Sequence, residues 1–162
     1  MTDEDESLVQ LEKLGEQAAS AILEFDTIRL ISHNDADGLS AAGIMCTALH
    51  RRQILFHATI VSQFDHSIVE MIEKTSQEAV ILCDMGSGQA ELSSNLKNAI
   101  IIDHHKPTGT LEHMHFNPHL VGINGSNQFS ASCGAYMVAR HMGIILTLQA
   151  LLSWEQSAIS RQ

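Results

Sequence analysis

The stretch Ile31-Ser-His-Asn-Asp-Ala-Asp-Gly-Leu39 decides how the rest of the chain is interpreted. It overlaps the end of an apolar run, Thr27-Ile-Arg-Leu-Ile-Ser32, whose length and β-branched residues predict a buried strand. His33, Asp35 and Asp37 then follow at alternate positions, where the turn-forming residues begin. Because ligands bind beyond the carboxyl ends of strands in open α/β sheets, we expect a site here.

Two later stretches repeat this pattern. The apolar run Ala79-Val-Ile-Leu-Cys83 ends at Asp84, and the run Ala99-Ile-Ile-Ile102 ends at Asp103-His104-His105-Lys106-Pro107. Three strands therefore deliver carboxylates and imidazoles to one edge of the predicted sheet. Carboxylates favour Mg²⁺ or Mn²⁺, and imidazole favours transition metals. Two divalent cations can be held by such a set, and metal pairs serve phosphatases and nucleases. Phosphoryl hydrolysis is the predicted chemistry.

The order of elements predicts an α/β fold, a doubly wound and mainly parallel sheet flanked by helices. With 162 residues, the chain is expected to form a single domain, 1–162, with an N-terminal helix within residues 1–25 that packs on the sheet. Ser40 and Gly43 are expected to let the helix after the first strand lie close to the sheet. We expect helices over residues 7–25, 38–49, 65–74, 130–141 and 145–159, strands over 27–32, 54–61, 79–83 and 99–102, and irregular structure over 108–128.

Charge and composition limit the function classes. The formal net charge of −10 argues against a large basic surface for duplex DNA, although metals in an acidic site would offset part of it. Cys46, Cys83 and Cys133 each lie in apolar context and are expected to be small core residues in a reducing compartment. The acidic N-terminus lacks the features of a signal peptide, and no apolar run is long enough for a membrane span. A cytoplasmic location is the expectation.

Three motifs together resemble those of the DHH phosphoesterase superfamily. They are His33-Asn-Asp-Ala-Asp-Gly38, Asp84 after a strand, and Asp103-His104-His105. The chain is most similar to archaeal RecJ-like proteins, a likeness carried by Ser32-His-Asn-Asp-Ala-Asp-Gly-Leu-Ser-Ala41, Ile101-Ile-Asp-His-His-Lys-Pro107 and Asn117-Pro-His-Leu120. The resemblance extends from about residue 27 to the end. It implies a DHH-type domain.

The resemblance also implies roles for the motif residues. Asp84 would bridge two metal ions, and His105 would contact the scissile phosphate. Asp103 would orient a histidine rather than bind metal, and Lys106 would be either a further phosphate contact or a solvated loop residue. The first ion would be held by His33, Asp35 and Asp84, and the second by Asp37, Asp84 and His104.

The activity implied is hydrolysis of phosphodiester bonds in single-stranded DNA or RNA, or in short oligonucleotides, by a hydroxide bound between two divalent cations. Mn²⁺ is the first choice for these cations and Mg²⁺ the second. The chain departs from the family pattern in having no Asp after Asp103, where a fourth motif would supply another ligand. Arg161 falls at that position, and Glu155 is the only nearby carboxylate. We also expect no second domain of the DHHA1 type, which relatives have, and both differences predict weaker turnover.

Other interpretations remain open at this point. The chain can be a catalytically inactive RecJ-like binding module of a replication or repair assembly with a GINS-type partner, or a truncated product. A small-molecule phosphohydrolase fits less well, because the pyrophosphatase branch has a longer first motif. His113, His115 and His119 are either residues at the rim of the substrate site or ordinary loop residues. Cleavage polarity, the choice between DNA and RNA, and oligomeric state are not determined by the sequence.

Overall fold

A computed structural model of the protein describes residues 3–143, which form a five-stranded sheet with helices on both faces. All strands run parallel, so the predicted α/β class is confirmed. The strands are β1 (Thr27–His33), β2 (Leu55–Val61), β3 (Ala79–Cys83), β4 (Ala99–Ile102) and β5 (Met114–Phe116). The helices are α1 (Asp3–Ile22), α2 (Ala36–Arg51), α3 (His66–Glu73), α4 (Ala90–Ser93), α5 (Gly125–Gln128) and α6 (Ala131–His141), with 3-10 turns at Ser87–Gln89 and Pro118–Val121. The helix predicted over residues 145–159 lies outside the described residues.

The strand order β2-β1-β3-β4-β5 determines where a ligand can enter. From β1 the chain adds β2 on one side, then crosses back to add β3, β4 and β5 on the other. The direction of winding therefore reverses between β1 and β3. Side chains beyond the carboxyl ends of two such strands line a crevice, because the connections that follow them diverge. The loops after His33 and Cys83 both begin at this crevice.

Alternate residues of the strands enter two separate cores. Leu30 and Ile81 pack with residues of α1, α2 and α6 on one face. Ile31 and Leu82 pack with residues of α3 on the other face. This alternation follows from the period of two along a strand. Because both faces are buried, the strands are continuous apolar runs, which is typical of parallel sheets.

The close approach of α2 to the sheet depends on residues other than those predicted. Ser40 and Gly43 are exposed, and a Cβ on Gly43 would meet no atom within 4 Å. The approach is made instead by buried residues, including Ala41 and Ala42. Gly38 is required at the start of the helix, because a Cβ there would lie 2.4 Å from the His33 carbonyl oxygen.

The stretch 108–128 is more ordered than predicted. It contains β5, the 3-10 turn at Pro118–Val121 and the short helix α5. Elements of three or four residues are too short to produce a recognisable period in the sequence. None of the helices in the described part of the chain is long and apolar enough to cross a membrane.

Candidate metal centre

The Asp84 carboxylate lies at the centre of the crevice. Asp84 follows β3 with a left-handed backbone conformation (φ 59°) and is only 3% exposed. Neither of its carboxylate oxygens has a hydrogen-bond partner among the described residues. Burial, followed by the negative charge of Asp35, raises the pKa of Asp84 to about 7. A buried carboxylate without hydrogen bonds is unfavourable unless a cation completes its surroundings.

The first group of side chains beside Asp84 comes from the end of β1. His33 Nδ1 lies 3.0 Å from Asp35 Oδ2 and 3.8 Å from Asp84 Oδ2. The other oxygen of Asp35 caps α2 by accepting a hydrogen bond from the Gly38 amide (2.9 Å). This hydrogen bond is the main cause of the lowered pKa of Asp35. These three side chains present ligand atoms close enough together to hold one cation.

The second group lies on the other side of Asp84. His104 Nε2 is 3.3 Å from Asp84 Oδ1 and 3.6 Å from Asp37 Oδ2. His104 Nδ1 lies 2.9 Å from the Gly125 carbonyl oxygen, which can only accept a hydrogen bond. Nδ1 therefore carries the proton, and the lone pair of Nε2 faces the carboxylates. Gly125 is needed for this contact, because a Cβ there would lie 2.1 Å from the His104 carbonyl oxygen.

Asp37 connects this group to α6. Its two oxygens accept hydrogen bonds from the amides of Ala131 (2.7 Å) and Ser132 (2.9 Å) in the first turn of that helix. Burial disfavours the charged form of Asp37, but hydrogen bonds from Ser132 and the two amides outweigh it and lower the pKa. The side chain is thereby held beside His104.

Asp103 has a different role from the other acidic residues. Asp103 is 1% exposed, and its Oδ2 accepts a hydrogen bond from the Ser87 amide (2.9 Å). Its Oδ1 accepts hydrogen bonds from the amides of His104 (2.7 Å) and His105 (3.1 Å) and from His105 Nδ1 (2.7 Å). Burial raises the pKa of Asp103, but these bonds, led by that of His105, leave it lowered. The same bond raises the pKa of His105 to about 9. Asp103 therefore positions His105.

A buried polar network lies beneath this pair. Asn117 Nδ2 donates hydrogen bonds to Ser87 Oγ (2.8 Å) and to the His105 carbonyl (2.9 Å). Ser87 Oγ lies 2.7 Å from His115 Nε2. Ser87 Oγ can accept from Asn117 and still donate its own proton to His115 Nε2 when that ring is neutral. Burial also lowers the pKa of His115.

This network decides between the two interpretations that the sequence left open for His115. His115 was a candidate for the rim of the substrate site, but it is 7% exposed and lies below the site. His113 and His115 line a separate cleft of about 360 Å³. Ser87 and Asn117 were not predicted to act in the site. The sequence shows Met-Gly-Ser-Gly after Asp84, and Asn117-Pro-His further along the chain. No pattern in either stretch predicts that Ser87 and Asn117 form a hydrogen bond.

The cleft in front of the centre has a volume of about 410 Å³. It is lined by His33, Asp84 and His105, together with the loop of residues 62–64 after β2 and residues of the 3-10 turn after β3. Lys106 is exposed and is not among the lining residues found in the described part of the chain. Arg161 and Glu155, considered for the fourth motif, lie outside the described residues.

The cysteines differ from one another. Cys83 is fully buried, and burial raises the pKa of its thiol far above the ordinary value. Cys46 is partly buried, whereas Cys133 is exposed in α6. The prediction that all three are core residues is therefore wrong for Cys133. The apolar residues near Cys133 in the sequence, such as Ala131 and Ala135, face the core, whereas Cys133 lies on the exposed side of the helix.

The fold and the clustered Asp and His residues define a DHH-type domain. The chain belongs to the DHH family: the model of the DHH family, N-terminal domain, matches residues 27–158. A relative in Methanocaldococcus jannaschii, the uncharacterised protein MJ0831, is 37% identical over 148 residues, which cover 85% of this chain and 34% of the relative. The chain thus spans about a third of the length of this relative.

Solved structures show the same fold. Exonuclease RecJ bound to manganese matches with a TM-score of 0.60 and 20% identity, over 82% of this chain and 37% of that one. RecJ of Thermus thermophilus in complex with Mn²⁺ matches with a TM-score of 0.61 and 21% identity, over 82% and 20% of the two chains. The DHH domain of PF0399, a member of the s1p family of ribosomal proteins, matches with a TM-score of 0.65 and 20% identity, over 88% and 41%.

Proposed function

We propose that the chain is a metal-dependent phosphoesterase domain that hydrolyses phosphodiester bonds of single-stranded nucleic acid or short oligonucleotides. The observation that carries this proposal is the buried Asp84 carboxylate, which has no hydrogen-bond partner among the described residues. Its possible ligand partners are His33 and Asp35 in one group and His104 and His105 in the other, with Asp37 Oδ2 3.6 Å from His104 Nε2. Membership of the DHH family supports the reaction class. The Mn²⁺ ions in the two RecJ structures support a divalent cation as the missing partner, with Mn²⁺ first and Mg²⁺ second.

Asp84 would be shared by two cations. Its Oδ2 is the oxygen nearest to His33, and its Oδ1 is the oxygen nearest to His104. The first ion would be held by His33, Asp35 and Asp84, and the second by Asp37, Asp84 and His104. A metal pair activates water for attack and neutralises charge that develops on the phosphoryl group.

His105 is better suited to binding phosphate than to binding metal. Its Nδ1 proton is held by Asp103, and its raised pKa keeps the ring protonated at neutral pH in the metal-free protein. A protonated imidazole has no lone pair for a metal, but its Nε2 proton can bind a phosphate oxygen. More than half of the His105 side chain is exposed, at the cleft. Lys106, which is exposed next to it, remains a proposed second contact for the substrate.

A non-catalytic module is not favoured. A scaffold has no physical need for a buried carboxylate such as Asp84, which accepts no hydrogen bond from the described residues, because its charged form is unfavourable without a ligand. A GINS-type partner has no support among the comparisons. The cytoplasmic location stays a prediction from the sequence.

The test is hydrolysis of single-stranded oligonucleotides in the presence of MnCl₂, with DNA and RNA labelled at either end. Glu70→Gln is the matched control, because Glu70 is an exposed acidic residue of α3 whose one ion pair among the described residues is with Lys74. We expect Mn²⁺-dependent cleavage by the wild type and by Glu70→Gln, and none by Asp84→Ala. Cleavage that survives in Asp84→Ala would refute the proposal. Binding of Mn²⁺ without cleavage of any substrate would refute the catalytic part.

A further inference from the structure

A buried arginine lies at the opposite end of the sheet from the metal centre. Arg29, the third residue of β1, is 6% exposed. Its Nη2 donates a hydrogen bond to Thr59 Oγ1 (2.7 Å) and contacts Met71 Sδ (3.6 Å). Its Nε is buried and has no hydrogen-bond partner within residues 3–143. No carboxylate of the described residues lies within 4.0 Å of the guanidinium. Its positive charge therefore has no carboxylate in direct contact among the described residues.

Arg29 lines a cleft of about 470 Å³ at the amino end of the strands. The walls beside it include the buried side chains of Ile72, Val80 and Leu96. Gln77 also lines the cleft, and its Oε1 is buried without a donor. Arg29 precedes His33 by four residues along β1, which places the cleft roughly 13 Å from the metal centre at 3.3 Å per residue. The cleft is therefore a separate site.

A buried guanidinium in apolar surroundings is strongly unfavourable unless an anion accompanies it. A guanidinium stays charged in proteins, so the cost of burying it is met by an anion or by hydrogen-bond acceptors. Other charged groups at the rim do not supply the anion. Glu78 Oε2 accepts hydrogen bonds from the amides of Asp26 (2.9 Å) and Thr27 (3.1 Å). Glu73 is exposed at the rim and, like Glu78, forms no ion pair with Arg29 within residues 3–143.

We propose that this cleft binds the phosphate group of a small phosphorylated ligand, with Arg29 on the phosphate oxygens. The planar fork of a guanidinium matches the geometry of a phosphate. Gln77 Oε1 accepts a hydrogen bond from a hydroxyl of the same ligand, which satisfies the second unpartnered atom of the cleft. The ligand is either free inorganic phosphate or a nucleoside monophosphate. This inference does not rest on the proposed phosphoesterase activity.

The experiment uses metal-free protein in EDTA, so that cations in the metal centre cannot recruit the anion. Thermal unfolding is followed with sodium phosphate, with adenosine monophosphate, and with sodium chloride at matched ionic strength. We expect both phosphates to raise Tm beyond the chloride control. Tighter binding of adenosine monophosphate identifies a nucleotide site, and equal binding identifies a phosphate site.

Two variants assign the effect to Arg29. Arg29→Met keeps an unbranched apolar stem but removes the guanidinium and its charge, and we expect about ten- to hundredfold weaker phosphate binding. His105→Ala removes the other proposed phosphate contact and is expected to keep the stabilisation. No phosphate-specific rise in Tm for the wild type, or an unchanged rise in Arg29→Met, would overturn the proposal.

A measurement on the wild type covers the case in which Arg29→Met does not fold. The Nε–H signal of Arg29 in a ¹⁵N NMR spectrum is expected to shift when phosphate is added, and its absence from Arg29→Lys assigns it. A signal that does not move on adding phosphate would also overturn the proposal.

Discussion

Asp84 and Asp103 are both buried aspartates that directly follow neighbouring strands, yet their surroundings are opposite. Asp103 accepts hydrogen bonds at both oxygens from three amides and an imidazole, and its pKa is lowered. Asp84 accepts no hydrogen bond from the part of the chain that the structure describes, and its pKa is raised to about 7. The two carboxylates are similarly hidden from water, at 1% and 3% exposure. Hydrogen bonding, rather than burial, separates them.

This contrast indicates what each residue contributes. The protein itself completes the surroundings of Asp103, which is typical of a group that holds another side chain in place. Asp84 accepts no such hydrogen bond from the described residues, and the His105 ring lies 3.8 Å from its Oδ1. In the proposed function, a cation between His33 and His104 would complete its surroundings. An aspartate after a strand can therefore be a structural or a ligating residue, and the hydrogen-bond partners distinguish the two.

The largest expected effect is on activity. Asp84→Asn should lose roughly a thousandfold or more of the Mn²⁺-dependent hydrolysis rate, because both cations would lose a shared ligand. Asp103→Asn should lose about ten- to a hundredfold, because it weakens the positioning of His105 but removes no ligand. The measurement is kcat/KM on a labelled oligonucleotide. Equal losses in the two variants would remove the distinction between the residues.

A smaller loss is expected from the network below Asp103. Asn117→Ala would leave the His105 carbonyl and Ser87 Oγ without their donor. We expect about 1–3 kcal/mol lower free energy of unfolding from the unsatisfied buried groups. We also expect a fall in kcat with Mn²⁺ affinity preserved, measured by kinetics and by calorimetry. A loss of Mn²⁺ binding in this variant would show that the network supports the ligands rather than His105.

The stability of the metal-free protein should change in opposite directions in the two aspartate variants. Asp84→Asn removes an unfavourable buried charge and should raise Tm in EDTA. Asp103→Asn removes a well-bonded carboxylate and should lower the free energy of unfolding by about 1–3 kcal/mol. Thermal or urea unfolding in EDTA checks both variants. A fall in Tm for Asp84→Asn would mean that its charge already has a stabilising partner.

The smallest effect is a dependence of stability on pH. Between its ordinary pKa of 3.8 and its folded-state pKa of about 7, Asp84 holds a proton in the folded state that the unfolded chain has lost. The folded state therefore binds more protons, and its stability falls as pH rises through this range. The difference in Tm between wild type and Asp84→Asn in EDTA should grow over the same range. A difference that is constant with pH would contradict the raised pKa.

Much of the fold could be predicted because the local signals are strong. The apolar runs at 79–83 and 99–102 coincide with β3 and β4, since strands buried on both faces carry no polar interruptions. The three strand ends with their acids and histidines could also be located. A parallel sheet brings the carboxyl ends of its strands to one edge whatever the details of packing.

The remaining features depend on contacts between distant residues. Asp37 caps α6, which lies more than ninety residues further along the chain, and no pattern around Asp37 indicates that partner. The contacts of Asn117 with Ser87 and of His104 with Gly125 also join separate loops. Arg29 looked like part of an ordinary strand, because its lack of a carboxylate partner is visible only in three dimensions.

The most direct test of the metal centre is a crystal structure of the chain grown with MnCl₂, with data collected at the manganese absorption edge. We predict two anomalous peaks that share the Asp84 carboxylate, one in contact with His33 and Asp35 and the other in contact with Asp37 and His104. Peaks that avoid Asp84, or no peak at a saturating Mn²⁺ concentration, would contradict the shared role of this carboxylate.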